Sequence, residues 1–105
     1  MIARLWIGRT RAEHAERYLE YLNATGVPAC RSTEGNQGVQ ILTRVERDVA
    51  EFVFVSFWDS REAIRRFAGD DVERAVYYPE DRKYLLELDP KVRHFDVTRI
   101  PAAEA

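Results

Sequence analysis

The segment from Glu51 to Trp58 carries large apolar side chains on both faces of one strand, Phe52, Phe54 and Trp58 alternating with Val53, Val55 and Phe57. Successive side chains of a strand point to opposite faces, so a strand of this kind needs cover on two sides. It predicts a central strand. The chain has 105 residues, enough for one core and too few for two, so the cover comes from the same domain or from another copy of it.

The flanking segments supply three more strands and two helices. Ile2 to Gly8 reads as strand one, with Ala3, Leu5 and Ile7 on one face and Ile2, Arg4 and Trp6 on the other. Thr10-Arg-Ala-Glu13 matches a capping box and predicts a helix over residues 11 to 25, with Ala12, Ala15, Tyr18, Leu19 and Leu22 as its apolar stripe and Gly26 and Pro28 as its stop. Residues 29 to 38 hold the densest cluster of turn formers and predict a loop, a candidate mobile rim. Val39 to Glu46 alternates as strand two, and a turn around Asp48 leads into strand three. Asp59-Ser-Arg-Glu62 is a second capping box, followed by the stripe Ala63, Ile64, Phe67 and Ala68 and then Gly69. A short helical turn within 70 to 78 and a short helix from Pro79 to about Leu86 follow, ended by Asp89-Pro90. Lys91 to Arg99 reads as strand four, and the domain occupies residues 1–100 with a frayed tail at 101–105.

The order β-α-β-β-α-β is that of a ferredoxin-like α+β fold, an antiparallel sheet with its helices on one face. Strands one and three are then central. Two helices cover only one face, so Val53, Val55 and Phe57 or their opposites are left wet in a monomer. Such a patch marks an interface, and two sheets packed face to face complete the core of a homodimer.

Composition narrows the function classes. Sixteen basic and eighteen acidic side chains leave a formal charge of -2, which gives no electrostatic basis for holding nucleic acid. No apolar run approaches a membrane span, the single cysteine, Cys30, forms no internal disulfide, and Arg4 interrupts the first residues too early for a signal peptide. The cytoplasm is the expected compartment.

The segment Phe54-Val-Ser-Phe-Trp-Asp-Ser-Arg-Glu-Ala-Ile-Arg-Arg-Phe-Ala-Gly-Asp-Asp, with Glu73-Arg-Ala-Val-Tyr-Tyr-Pro-Glu-Asp after it, resembles the antibiotic biosynthesis monooxygenase family of dimeric α/β barrels. The resemblance implies a homodimer with a pocket in each subunit between sheet and helices. It also implies oxidation of phenolic aromatic molecules by O2 without metal or flavin. In that chemistry the deprotonated substrate is itself the electron donor, and the protein binds a planar ring, removes a proton and stabilises the anion. Haem-degrading monooxygenases of the same superfamily rely on an early Asn, a Trp ending strand three and a His after helix two. Trp58 matches that Trp, but no Asn precedes Asn23, and Tyr77 and Tyr78 stand after helix two where no His occurs.

Each candidate has a plain alternative. Trp58 either roofs a pocket or plugs the sheet edge, and Trp6 reads as core. His94 is the only histidine on a predicted strand, with an ordinary pKa suited to a base near neutral pH, though a strand histidine is more commonly surface or satisfied core. Tyr77 and Tyr78 precede Pro79 and either donate to a substrate oxygen or close the bottom of the core. Asp70, Asp71, Glu80 and Asp81 read as acids at helix starts. No metal-ligand spacing, phosphate loop or nucleophile elbow is present. The leading expectation is a cofactor-independent monooxygenase acting on a small hydrophobic aromatic molecule. In it Trp58, Phe54 and Phe67 bind the ring, His94 is the base, and Tyr77 or Tyr78 bonds the oxyanion. A non-catalytic dimeric binding module and a haem-binding protein stand as alternatives.

Overall fold

A computed structural model describes residues 1–104. Four strands form one antiparallel sheet: β1 (Ile2–Arg11), β2 (Asn36–Glu46), β3 (Val49–Trp58) and β4 (Arg93–Asp96), in the order β2-β3-β1-β4. The two-faced strand is central, as its side-chain pattern requires, and β1 lies beside it. The helical segments α1 (Ala15–Ala24), α2 (Gly26–Arg31), α3 (Arg61–Ala68) and a single turn, α4 (Asp81–Tyr84), pack on one face. The fold is the ferredoxin-like α+β arrangement expected.

The register assigns every strand residue to a face. Trp6 lies opposite Phe54, Arg4 opposite Ser56 and Ile2 opposite Trp58; on the other side of β1, Arg4 also lies opposite His94. These side chains share the helix-covered face, where Phe52, Phe54 and Trp58 join Tyr18 and Leu22 of α1, Cys30 of α2 and Ala63 and Ile64 of α3 in one buried cluster. Leu5, Ile7, Val53, Val55 and Phe57 alternate to the opposite face, which no helix covers. Leu42 and Phe95 extend that face to both edges and are 54% and 48% exposed.

Several local expectations give way to long-range pairing. Thr10 does not cap a helix. The β2–β3 hairpin is long enough to pair β1 as far as Arg11 with Val49, so Thr10 is a fully buried strand residue opposite Ala50, its hydroxyl donating to the Arg11 carbonyl at 2.9 Å. A 3-10 turn over Ala12–His14 follows, and α1 begins only at Ala15. Gly26 does not stop the helical region either. The chain turns at Thr25 (φ -122°, ψ -80°) and α2 starts at Gly26, which packs near the Phe54 ring. Pro28 fits in the first turn of α2 because amides there have no helical partner. The expected loop over residues 29–38 shrinks accordingly, for α2 runs to Arg31 and β2 begins at Asn36, with a register irregularity between Asn36 and Val39.

Within that short connection Gly35 adopts φ 95°, and a Cβ there would lie 2.5 Å from Cβ of Ala63. Its carbonyl accepts from the Asp59 amide at 3.0 Å, which fixes the entry to α3. The cap of that helix is Ser60, one residue beyond the expected Asp59, and its hydroxyl accepts from the Ala63 amide at 3.1 Å. Residues 70–78 form turns and extended chain instead of a helical turn, because Ala75 and Val92 bond to Pro90 and Glu73 across the two segments. The helix expected from Pro79 is confined to α4, and β4 covers only the middle of Lys91–Arg99. Residues 101–104 are exposed and carry no regular structure, and the remaining residue of the expected tail, Ala105, lies outside the described residues. Among the described residues no helix is long and apolar enough to cross a membrane.

Candidate functional site

Between the helix-covered face of the sheet and the segment that returns from α3 lies a mostly apolar cavity with about 50 Å³ of free interior space, room for a few water molecules. The sheet forms its floor through Arg4 and Trp6 of β1 and Phe54 and Ser56 of β3. Tyr18, Leu22, Gly26 and Cys30 wall one side, Phe67 another, and Val76, Tyr77 and Tyr78 form the rim.

Trp6 reaches this position because Gly8, two residues on along the same face, has no side chain. A Cβ on Gly8 would fall 2.1 Å from the indole ring. The indole Nε1 donates to the Tyr77 hydroxyl at 3.1 Å, and the two rings meet edge to face at 6.1 Å. The Tyr77 hydroxyl in turn donates to the carbonyl of Asp89. Burial raises the pKa of Tyr77 above that of an ordinary phenol, and burial, with the neighbouring Cys30 and Asp81, pushes Tyr78 up to about 12. Both phenols are therefore protonated at neutral pH and able to donate a hydrogen bond, as Tyr77 does.

Asp81 is 3% exposed. Its carboxylate accepts from the Tyr18 hydroxyl at 2.8 Å through Oδ1 and from the Tyr78 amide at 2.6 Å through Oδ2. An acid read as a helix-start residue thus ties α1 to the rim of the cavity. Cys30 is fully buried, and burial pushes its thiol up to about 11, so it stays protonated.

Arg4 is 4% exposed. Its guanidinium donates to the carbonyls of Val72 and of Arg74, the latter at 2.7 Å, lies 3.2 Å from Nε2 of His94, and sits 5.7 Å from the centre of the Phe67 ring. Burial draws its pKa down to about 10, which still leaves it charged at neutral pH.

Of the residues singled out by sequence, Phe54, Phe67, Tyr77 and Tyr78 line the cavity together. Trp58 does not. It is 0% exposed, bonds to the Ser56 hydroxyl at 2.8 Å through Nε1, and stacks at a tilt behind Phe67 at 5.6 Å, one layer further in. His94 shares the same face of the sheet but stands beyond Arg4 and outside the lining. Its pKa is lowered by burial and then by Arg4 and Arg61, so the imidazole is neutral at neutral pH. Arg4, Trp6, Tyr18, Cys30 and Asp81 were not singled out. A charged residue between Ile2 and Trp6, on the face of a central strand that the helices cover, was the one available signal. Among the described residues no three His, Cys, Asp or Glu side chains stand together as a metal site.

Comparison with known proteins bears on this arrangement. The family model for antibiotic biosynthesis monooxygenases matches residues 2–76, from the first strand through α3 into the cavity rim. The chain belongs to the antibiotic biosynthesis monooxygenase family. Solved structures agree on the fold. A Bacillus cereus protein, provisionally assigned as an antibiotic biosynthesis monooxygenase, is 15% identical with a TM-score of 0.67, the alignment covering 95% of this chain and 97% of that one. MhuD carrying an arginine-to-serine substitution, crystallised with two manganese protoporphyrin IX molecules per active site, is 20% identical with a TM-score of 0.59 over 98% of this chain and all of its own. At these identities the likeness is one of fold alone. No curated protein matches the chain.

Proposed function

We propose that this family member is a cofactor-independent monooxygenase that works as a homodimer on a small hydrophobic aromatic molecule. The observation that carries the reading is the cavity itself, an apolar space walled by Trp6, Phe54, Phe67, Tyr77 and Tyr78 on the helix-covered face of the sheet. Flat aromatic walls suit a planar ring. In the reaction a phenolic substrate gives up a proton and then electrons to O2; one oxygen atom stays on the ring system as a carbonyl and the other leaves as water. The substrate supplies all the electrons, so the protein's tasks are to bind, to take a proton and to stabilise an anion.

In this reading Tyr78, whose phenol stays protonated, donates to the developing anion. Tyr77 holds the Trp6 indole in place through the hydrogen bond between them. Trp58 supports Phe67 from behind. His94, the imidazole on this face of the sheet, is the candidate proton acceptor, standing beyond Arg4 at 3.2 Å from its guanidinium. The homodimer is supported by the uncovered apolar face around Val53, Val55 and Phe57, flanked by exposed Leu42 and Phe95. Haem finds less support: among the described residues the cavity lining holds no histidine, and its thiol and phenols are held protonated.

The test is turnover of a panel of polycyclic phenols under isotope-labelled dioxygen. One labelled atom in a quinone product, formed by metal-free protein, is the expected result. Binding of the phenols without any product would leave a binding module.

A further inference from the structure

Among the described residues Arg4 is the only cationic side chain lining the cavity, and no carboxylate among them forms an ion pair with it. All of its partners are neutral: two backbone carbonyls, a neutral imidazole and the face of an aromatic ring. These contacts aim the guanidinium and satisfy part of its donor set, but none cancels its charge. A buried cation without a counter-charge is a heavy burden on a fold unless something at the site uses it. The position is also rigid, because Arg4 lies on a central strand paired with Ser56 on one side and His94 on the other. The other polar groups near it, the Ser56 hydroxyl and the Cys30 thiol, are neutral as well. Asp81, the one acidic residue in the lining, is engaged by the Tyr18 hydroxyl and the Tyr78 amide.

We propose that Arg4 is the anchor for an oxyanion of the ligand: the cavity takes an aromatic molecule in its anionic form, with the charged oxygen toward Arg4 and Ser56 and the ring toward Trp6, Phe54 and Phe67. The inference rests on the cavity being the ligand site and adds the charge and orientation of what enters it. A phenolate, an enolate or an aromatic carboxylate shares the required chemistry, a planar group ending in an anionic oxygen that a guanidinium fork recognises.

Benzoate and benzamide form a matched pair for testing it, equal in shape and differing in charge. Titrated by NMR into the full chain, benzoate is expected to bind at least about tenfold tighter than benzamide and to shift the Arg4 Nε–H resonance where benzamide does not. In Arg4→Met the preference is expected to vanish while benzamide still binds; in Arg4→Lys it is expected to persist in weakened form. Should Arg4→Met fail to fold, the wild-type comparison and the Nε–H shift decide alone. A para-nitrophenol titration separates the sources: a lowered ionisation midpoint on binding points to a phenolate or enolate ligand, and an unchanged one, with benzoate preferred, to a carboxylate. Equal binding of benzoate and benzamide by the wild type, or an undiminished preference in Arg4→Met, overturns the anion site and leaves the cavity as a neutral ligand site. Binding of neither probe overturns the anion site and the cavity reading together.

Discussion

The hydroxyl of Tyr18 donates to Oδ1 of Asp81 at 2.8 Å across 63 residues of sequence, with both side chains buried. Because Oδ2 of the same carboxylate holds the Tyr78 amide at 2.6 Å, this one contact couples α1 to the cavity rim. Burial and then the carboxylate raise the Tyr18 pKa well above the ordinary phenol range, so the group is a permanent donor at neutral pH. Tyr18→Phe leaves a buried carboxylate one bond short, which costs about 1–3 kcal/mol. Urea denaturation measures it, and a loss under about 0.5 kcal/mol would remove the pair from any account of stability.

The Arg4–His94 contact yields a pH dependence. Burial, then Arg4 and Arg61, lower the His94 pKa from its ordinary value of 6.5. The unfolded chain therefore binds a proton at a pH where the folded chain does not, so stability falls as pH drops below 6.5 and through the folded value. His94→Asn is expected to flatten the stability–pH slope between the folded value and 6.5. Parallel slopes for variant and wild type in denaturation series would show that His94 does not titrate against Arg4.

What was legible in the sequence follows from the range of the interactions involved. The two-sided apolarity of Val53, Phe54, Val55 and Phe57 is a local pattern, and a strand with that pattern belongs at one of the two central positions of a four-stranded sheet. The start of α1 was not legible, because Thr10 and Glu13 make as good a capping box as any, and only the distant pairing of Arg11 with Val49 holds Thr10 in the strand. The site divides in the same way. Tyr77 and Tyr78 stood out as paired phenols before a proline. Arg4 acquires its meaning from carbonyls 68 and 70 residues away, and Asp81 from a tyrosine at a similar distance, contacts that no local spacing encodes.

Gly8 gives a direct handle on the cavity wall. A methyl group there would meet the Trp6 ring at 2.1 Å, so Gly8→Ala forces the indole off its hydrogen bond to Tyr77. Overpacking of this kind costs about 1–3 kcal/mol. The near-ultraviolet circular dichroism and the emission of Trp6 are expected to change, while Trp58, fully buried behind Phe67, contributes a constant background. Unchanged spectra would mean that the Trp6 ring does not lie over Gly8 in solution.

The uncovered face of the sheet tests the proposed homodimer, and the choice of residue decides whether the test is clean. Val55 is already screened by its neighbours at 9% exposure, so a charge there disturbs the subunit itself. Leu42 is 54% exposed on the same face, opposite Val53, and a glutamate at this position is solvated in a monomer but desolvated between two sheets. Leu42→Glu is therefore expected to leave the stability of the subunit nearly unchanged and to weaken association by about 3 kcal/mol, roughly a hundredfold in dissociation constant. Sedimentation at micromolar concentration separates the outcomes. A wild-type dimer and a monomeric, folded Leu42→Glu variant place the interface on this face; a wild-type monomer, or a variant that dimerises as well as the wild type, moves the interface elsewhere or removes it.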